Sequence, residues 1–183
     1  MVFQYQIRRF GHGDAANWNT FVSNAPNATF LLNRSFMEYH STRFDDFSLM
    51  IFKGQKLVAL LPANRVEDRI FSHQGLTYGG LIVAMNTKVD DVLNILKEML
   101  HYLESQSINF LQLKVLPSFY CKSPSEAIEY GLFLAKATLL KRESASTIDL
   151  KSKYKYSAQK KYGISIAAKK GLSIHKDSRL ETF

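Results

Sequence analysis

Cysteine is almost missing from this 183-residue chain, where Cys121 stands alone. A lone thiol excludes an internal disulfide framework and any thiolate cluster built by a single chain, and it agrees with a reducing compartment. Proline and glycine are scarce as well, at 4 and 9 residues, while Phe and Tyr number 13 and 9. That balance excludes a disordered or low-complexity polymer as a description of the whole. Long apolar runs are also lacking. The longest uncharged stretch, Ile70–Thr87, is broken by His73, Gln74, Tyr78 and three glycines, so it reads as strand and loop, not as a membrane span. Arg8, Arg9 and Asp14 stand where a secretory signal would need an apolar stretch. The expectation is a soluble cytoplasmic protein with no transmembrane segment.

Acidic residues are outnumbered, 16 against 24 Lys and Arg, and the shortfall is local. Residues 141–183 carry 11 basic and 4 acidic side chains, a net +7, which leaves the first 140 residues at +1. A neutral body with a basic tail speaks to partners, not to fold. With 46% hydrophobic residues the body can bury a core of its own.

Hydrophobic periodicity gives the element order. Phe3–Arg9 alternates as a strand, and Gly13–Asn24 places Trp18, Phe21 and Val22 at helical spacing. Asn33 is placed to cap a second helix from Arg34 to about Arg43. Ser48–Phe52 and Leu57–Val66 form a hairpin over Lys53-Gly54-Gln55-Lys56, and Arg69–Ser72 with Leu81–Val83 reads as a further hairpin member. The clearest helix carries Val89, Val92, Leu93, Leu96, Leu100 and Leu103 on one face, with Asp90 and Asp91 early in it, where they suit the helix dipole. Leu111, Leu113 and Val115 alternate along a strand ending at Pro117. Ser123-Pro124-Ser125-Glu126 starts another helix, and Leu132–Leu140 and Ala145–Leu150 close the set as strands. The remaining stretch, Lys151–Gly171, is a basic helix with a thin Ile164, Ala167, Ala168 stripe and Gly171 as C-cap. The expected fold class is α/β, a mixed sheet flanked by helices, with residues 1–150 as one domain and 151–183 as a basic helix and linker.

That element order resembles the GNAT acyltransferase fold. Ser72-His73-Gln74-Gly75-Leu76-Thr77-Tyr78-Gly79-Gly80-Leu81 resembles a loop of the Fem-type (FemAB-like) branch, which includes the peptidoglycan-bridge aminoacyltransferases. Lys114-Val115-Leu116-Pro117-Ser118-Phe119-Tyr120 is similar to the Lys-x-x-Pro-x-x-Tyr strand end of that group. Thr147-Ile148-Asp149-Leu150, then Lys160-Lys161-Tyr162-Gly163-Ile164, resemble its inter-domain strand and basic helix, although the family usually has Arg at 161 and often Asn at 163. Because members carry two GNAT-like domains in tandem, the resemblance implies a first domain plus linker, with a second such domain or another chain as partner. It also implies amide formation, in which a substrate amine attacks an acyl carbon activated as acyl-CoA or aminoacyl-tRNA. A sugar-nucleotide-linked or other amine would be the acceptor, as in peptidoglycan biosynthesis. The Val83–Lys88 junction lacks the Gly-rich phosphate loop of ordinary GNAT enzymes, so no cofactor is expected on this domain.

Candidate substrate-binding residues follow from both readings. His73 and Tyr78, set among glycines, could face a substrate as hydrogen-bond donors; the other reading is a turn whose His and Tyr finish the core edge. His73 is also the candidate general base, with no carboxylate partner visible in sequence. Arg34 and Arg43 could meet a phosphate through their planar forks, or sit exposed on a helix. Lys160, Lys161 and Tyr162 suit a sugar-nucleotide diphosphate or a tRNA backbone, or are a solvated face. Cys121 has no activating base beside it, no catalytic residue is assigned, and no metal site is expected. Two other function classes compete with the enzyme half: a non-catalytic tRNA-binding module using the tail, and a degenerate GNAT scaffold associating through the Ile164–Ala168 stripe.

Overall fold

The computed structural model describes residues 5–123, 125–151 and 154–174. It contains two compact units, residues 1–138 and 139–183. The first unit holds β1 (Tyr5–Arg9), α1 (Ala15–Asn24), α2 (Arg34–Met37), β2 (Asp45–Asp46), β3 (Leu49–Lys53) and β4 (Lys56–Leu61). It continues with β5 (Asn64–Val66), β6 (Arg69–Ser72), β7 (Ile82–Val83), α3 (Val89–Ser105), β8 (Phe110–Leu113) and α4 (Ala127–Leu134).

The α/β class is as expected, but the sheet is divided. β1-β3-β4-β7 form one antiparallel sheet of 4 strands, and β2-β5-β6-β8 a second of 4 in which β6 and β8 run parallel. The stretch read from sequence as one strand, Leu57–Val66, breaks at Pro62-Ala63 between β4 and β5. Proline has no N–H to give the ladder, so the chain changes sheet there. Ser48 covers the break: its Oγ accepts the Ala63 N–H at 3.2 Å, and Phe47 N–H donates to the Ala63 carbonyl at 2.9 Å. The expected hairpin partners Arg69–Ser72 and Leu81–Val83 likewise part company, β6 to the second sheet and β7 to the first.

The antiparallel sheet is covered on both faces, which explains the near-continuous apolar run of β3. Leu49 and Ile51 face the α3 side with Ala59, Leu61 and Val83, packing on Val92, Ile95, Leu96 and Met99. Met50, Leu60 and Ile82 face the opposite side and pack with Trp18, Val22, Leu32 and Met37. Trp18 is fully buried and its indole N–H donates to the Leu32 carbonyl at 2.8 Å. Of the helix-face residues expected in α3, Val89 and Leu100 are exposed, and Ile95 and Met99 take the buried positions.

Two other expectations change. The helix from Arg34 stops at Met37 and continues only as a 3₁₀ turn, Glu38–His40. Asn33 makes no capping bond with its side chain; the Arg34 N–H is received by Asn19 Oδ1 at 2.8 Å. Leu132–Leu134 end α4, and 137–149 form no strand, with Leu139, Leu140 and Ile148 exposed. A strand needs a ladder partner for its N–H and C=O groups, and alternation alone does not supply one.

In the second unit the basic helix is α5 (Ala158–Lys169). Ser157 Oγ caps it by accepting the Lys160 N–H at 3.4 Å. It ends in a Schellman motif, Leu172 N–H to the Ala167 carbonyl at 3.1 Å and Gly171 N–H to the Ala168 carbonyl at 3.0 Å. Residue 175 and those beyond lie outside the described residues, and 172–174 form no strand. Among the described residues no helix is long and apolar enough to cross a membrane.

Candidate functional site

The parallel pair β6 and β8 is the base on which the glycine-bearing loop is built. At the end of β6, the fully buried Ser72 Oγ accepts two backbone N–H groups, Gly80 at 3.1 Å and Lys114 at 2.9 Å. Gly79 N–H donates to the Lys114 carbonyl at 2.7 Å, and Gly79 forms a parallel bridge with Val115. The loop thus leaves β6 and returns to lie on the chain after β8. A Cβ on Gly79 would overlap the Ser72 carbonyl oxygen, so only glycine allows that approach. Asn64 clamps the loop from the neighbouring strand, accepting from Gln74 N–H at 2.7 Å and donating to Gln74 Oε1 at 2.8 Å.

Each sequence-predicted residue now has a place. His73 is buried, its Nδ1 accepts the Gly75 N–H at 3.1 Å, and its ring meets Phe44 edge-on at 5.2 Å. An Nδ1 so used leaves the proton of the neutral ring on Nε2, and the ring's first role is to hold the turn. Tyr78 is also buried, its hydroxyl 2.9 Å from Thr29 Oγ1 and its ring 5.6 Å from that of Tyr120. Phe119 and Tyr120, on the 3₁₀ turn Ser118–Tyr120, are half exposed and continue this aromatic surface.

Arg34 is buried inside the first unit and not directed to a ligand. Its fork donates to Glu38 Oε1 at 2.6 and 3.1 Å, to Ser48 Oγ at 3.2 Å and to Asp46, with the Phe10 ring 3.7 Å from its carbon. With these partners and 3% exposure, it is an internal ion-pair centre, and a phosphate has no approach to it. Arg43 is exposed beside the Phe44 ring at 5.6 Å. Lys160, Lys161 and Tyr162 lie on α5 in the other unit, all exposed. Burial, with Glu129 adding a smaller effect, pushes the half-buried Cys121 thiol up, which disfavours the thiolate a nucleophile needs.

The residue missed as a site candidate is Lys114. Its half-buried ammonium donates to the Leu76 carbonyl at 2.6 Å beneath the loop, and among the described residues no carboxylate pairs with it. Burial holds its pKa below the ordinary lysine value. The sequence carried a signal for it: Lys114 opens the Lys-x-x-Pro-x-x-Tyr pattern whose last member, Tyr120, meets Tyr78.

Two clefts lie elsewhere, on the edge formed by the β3–β4 turn and the segment after β7. One of about 430 Å³ is lined by Asn17, Phe21, Phe52, Leu57 and Met85, among others. The second, about 240 Å³, sits at the start of α3, where an acyl-CoA diphosphate would be expected to bind in a GNAT fold. Lys53, Lys56 and Asp91 line it, and Lys53 is paired with Asp91 at 2.7 Å. Asp90 and Asp91 occupy the first turn of α3, and the Thr87 N–H and hydroxyl are spent on the Ala84 carbonyl at 3.3 and 2.6 Å. The lining thus holds charges of both signs, and the 83–88 junction before α3 has no glycine to bring backbone N–H groups to a diphosphate.

No family model matches the chain, and no curated protein matches it. Solved structures give shallow likenesses. The ribosomal-protein-S18-alanine N-acetyltransferase of Escherichia coli is 14% identical over 57% of this chain, with a TM-score of 0.39; this chain spans 62% of that enzyme. A GNAT family acetyltransferase of Staphylococcus aureus is 13% identical over 80% of this chain and 99% of its own, at TM-score 0.39. The PaiA N-acetyltransferase of Thermoplasma acidophilum, solved with coenzyme A, is 10% identical over 57% of this chain and 74% of its own, at TM-score 0.36. Likenesses of this depth decide neither a family nor an activity for this chain.

Proposed function

We propose that this chain is the acceptor-binding part of a GNAT-type, Fem-like acyl- or aminoacyltransferase working in the cytoplasm. The observation that carries the reading is Lys114. A half-buried ammonium whose partner among the described residues is a carbonyl costs stability, and such a group suits a site that receives an anion. The acceptor is therefore an amine carried on an anionic, sugar-nucleotide-linked molecule such as a cell-wall precursor. Lys114 holds its phosphate or carboxylate, and the half-exposed Phe119 and Tyr120 rings, backed by the buried Tyr78, offer faces to its sugar.

In the reaction the amine nitrogen attacks an activated acyl carbon, the amide C–N bond forms, and the thiol or hydroxyl leaving group departs as the nitrogen loses a proton. This domain contributes by holding the amine in place, the effect of orientation on a two-reactant step. His73 and Ser72 act through the loop they brace and are positioning residues. The 83–88 junction before α3 has no Gly-rich phosphate loop, so the acyl-CoA or aminoacyl-tRNA donor belongs to a second GNAT-like domain or another chain.

Calorimetric titration of the full chain with a UDP-linked muropeptide, and separately with coenzyme A, tests this reading. The muropeptide should bind saturably, and Lys114→Met, checked for fold by circular dichroism, should weaken it at least about tenfold, as expected when a charge-assisted hydrogen bond is removed. Equal affinity of a folded Lys114→Met variant would overturn the acceptor assignment. Tight coenzyme A binding would overturn the donor assignment.

A further inference from the structure

The second unit carries a surface that the acceptor reading does not use. From Leu150 to Ile174 the sequence has 7 lysines, 3 tyrosines and no Asp or Glu. All three tyrosines are open to solvent, Tyr154 at 50%, Tyr156 at 52% and Tyr162 at 70%. Tyr154 and Tyr156 stand on the segment entering α5 with rings 5.2 Å apart and nearly perpendicular, and Lys160 Nζ lies 5.9 Å from the Tyr154 ring. Among the described residues, Lys155, Lys160 and Lys161 have no acidic partner.

We propose that Tyr154, Tyr156 and Tyr162 with Lys155, Lys160 and Lys161 form a binding surface for single-stranded nucleic acid. The lysines supply a cationic track for the phosphates, and unburied rings beside them supply π-faces on which unpaired bases stack; this combination tolerates any sequence. A duplex would satisfy the lysines but keeps its base faces covered, leaving the tyrosines without use. A membrane surface fits less well. Lys160, Lys161, Lys169 and Lys170 point around α5 on successive sides, so Ile164, Ala167 and Ala168 make a strip too narrow to lie on lipid. The inference is independent of the acceptor reading, because it uses no residue of the first unit and is measured with no acceptor present.

Fluorescence anisotropy of a labelled 20-nucleotide oligo(U) with the full chain tests it, with a 20-base-pair RNA duplex, heparin and phosphatidylserine vesicles as competing probes. Oligo(U) should bind more tightly than the duplex. The double variant Tyr154→Leu/Tyr156→Leu should weaken oligo(U) at least about fivefold while leaving the salt dependence as it was. Lys160→Gln/Lys161→Gln should instead flatten the plot of log K against log salt by about 1.4, because each single-strand phosphate that a lysine neutralises adds about 0.7 to the slope. Since every substituted side chain is exposed, circular dichroism should be unchanged. Equal binding of duplex, heparin and oligo(U), with the tyrosine variant unaffected, would reduce the surface to unspecific charge and overturn the proposal. Binding to vesicles without binding to oligo(U) would overturn it as well.

Discussion

The hydroxyl of Tyr5 donates a 2.6 Å hydrogen bond to Oδ1 of Asp91, and the same oxygen receives the Lys53 ammonium at 2.7 Å. The contact joins residues from β1, β3 and the first turn of α3, so it ties the helix to the edge of the antiparallel sheet. Lys53 first, then the Tyr5 hydroxyl, hold the Asp91 carboxyl below the usual carboxylate range.

A lowered pKa in the folded state means that the ionised carboxylate stabilises the fold above its unfolded pKa, and that this contribution fades as pH falls through the folded value. Asp91→Asn should therefore lower the melting temperature at neutral pH. The gap to wild type should begin to close below about pH 4, where Asp protonates in the unfolded chain, and narrow further as pH falls. Thermal melts of both proteins between pH 3 and 7 check this. Added salt should also narrow the gap, because Lys53 and Asp91 are partly exposed.

Arg34 presents a different electrostatic case, a buried cation whose partners Glu38 and Asp46 come from separate elements. Arg34→Lys should cost about 2–3 kcal/mol in chemical unfolding, close to the cost of Arg34→Met. One ammonium cannot span Glu38, Asp46 and Ser48 or lie flat over Phe10. Near-complete rescue by lysine would show that charge alone matters there.

Two glycines should differ in their response to an added methyl group. At Gly131 the clash is with the Leu96 side chain, which can turn aside, so Gly131→Ala should cost about 1–2 kcal/mol. At Gly79 the clash is with the Ser72 backbone carbonyl, which the two hydrogen bonds to Ser72 Oγ and the bridge to Val115 hold in place. Gly79→Ala should cost about 3 kcal/mol or more and also weaken muropeptide binding. Urea melts of the two variants rank the costs.

Burial lowers the folded pKa of Lys114, so the unfolded state holds the proton more tightly between the two values. Stability should rise with pH across that interval. Relative to Lys114→Met, the wild type should therefore gain unfolding free energy as pH rises toward the ordinary lysine pKa of about 10.4, the contributions of other lysines and tyrosines cancelling in the difference. A flat difference would place the ammonium in water.

Much of the fold was legible where a local pattern and its burial coincide. α3 shows this: its periodicity set its extent closely, yet Val89 and Leu100 proved exposed because α3 turns Ile95 and Met99 to the sheet instead. The strands expected at Leu132–Leu140 and Ala145–Leu150 failed for a complementary reason, since alternation describes a surface but not the edge it must pair with. Within the site, His73, Tyr78 and the glycines were visible as a loop, but the burial of Arg34 was not. A guanidinium on a helix start looks the same in sequence whether it meets solvent or Glu38, Asp46 and Phe10.

The shortage of cysteine, of long apolar runs and of acidic residues after position 150 was decided by composition alone, because those properties belong to residues singly. Composition also kept the +7 tail apart from a neutral body. What only tertiary structure decided is which polar groups lost their water. Ser72 and Lys114 are ordinary residues until β6, β8 and the returning loop close around them, as Arg34 is until Phe10, Trp18, Glu38 and Asp46 do. Arg34 was then matched by carboxylates, and Lys114, among the described residues, by the Leu76 carbonyl. Desolvation is a property of the whole arrangement, and it separates the cation matched by carboxylates from the one that meets a carbonyl.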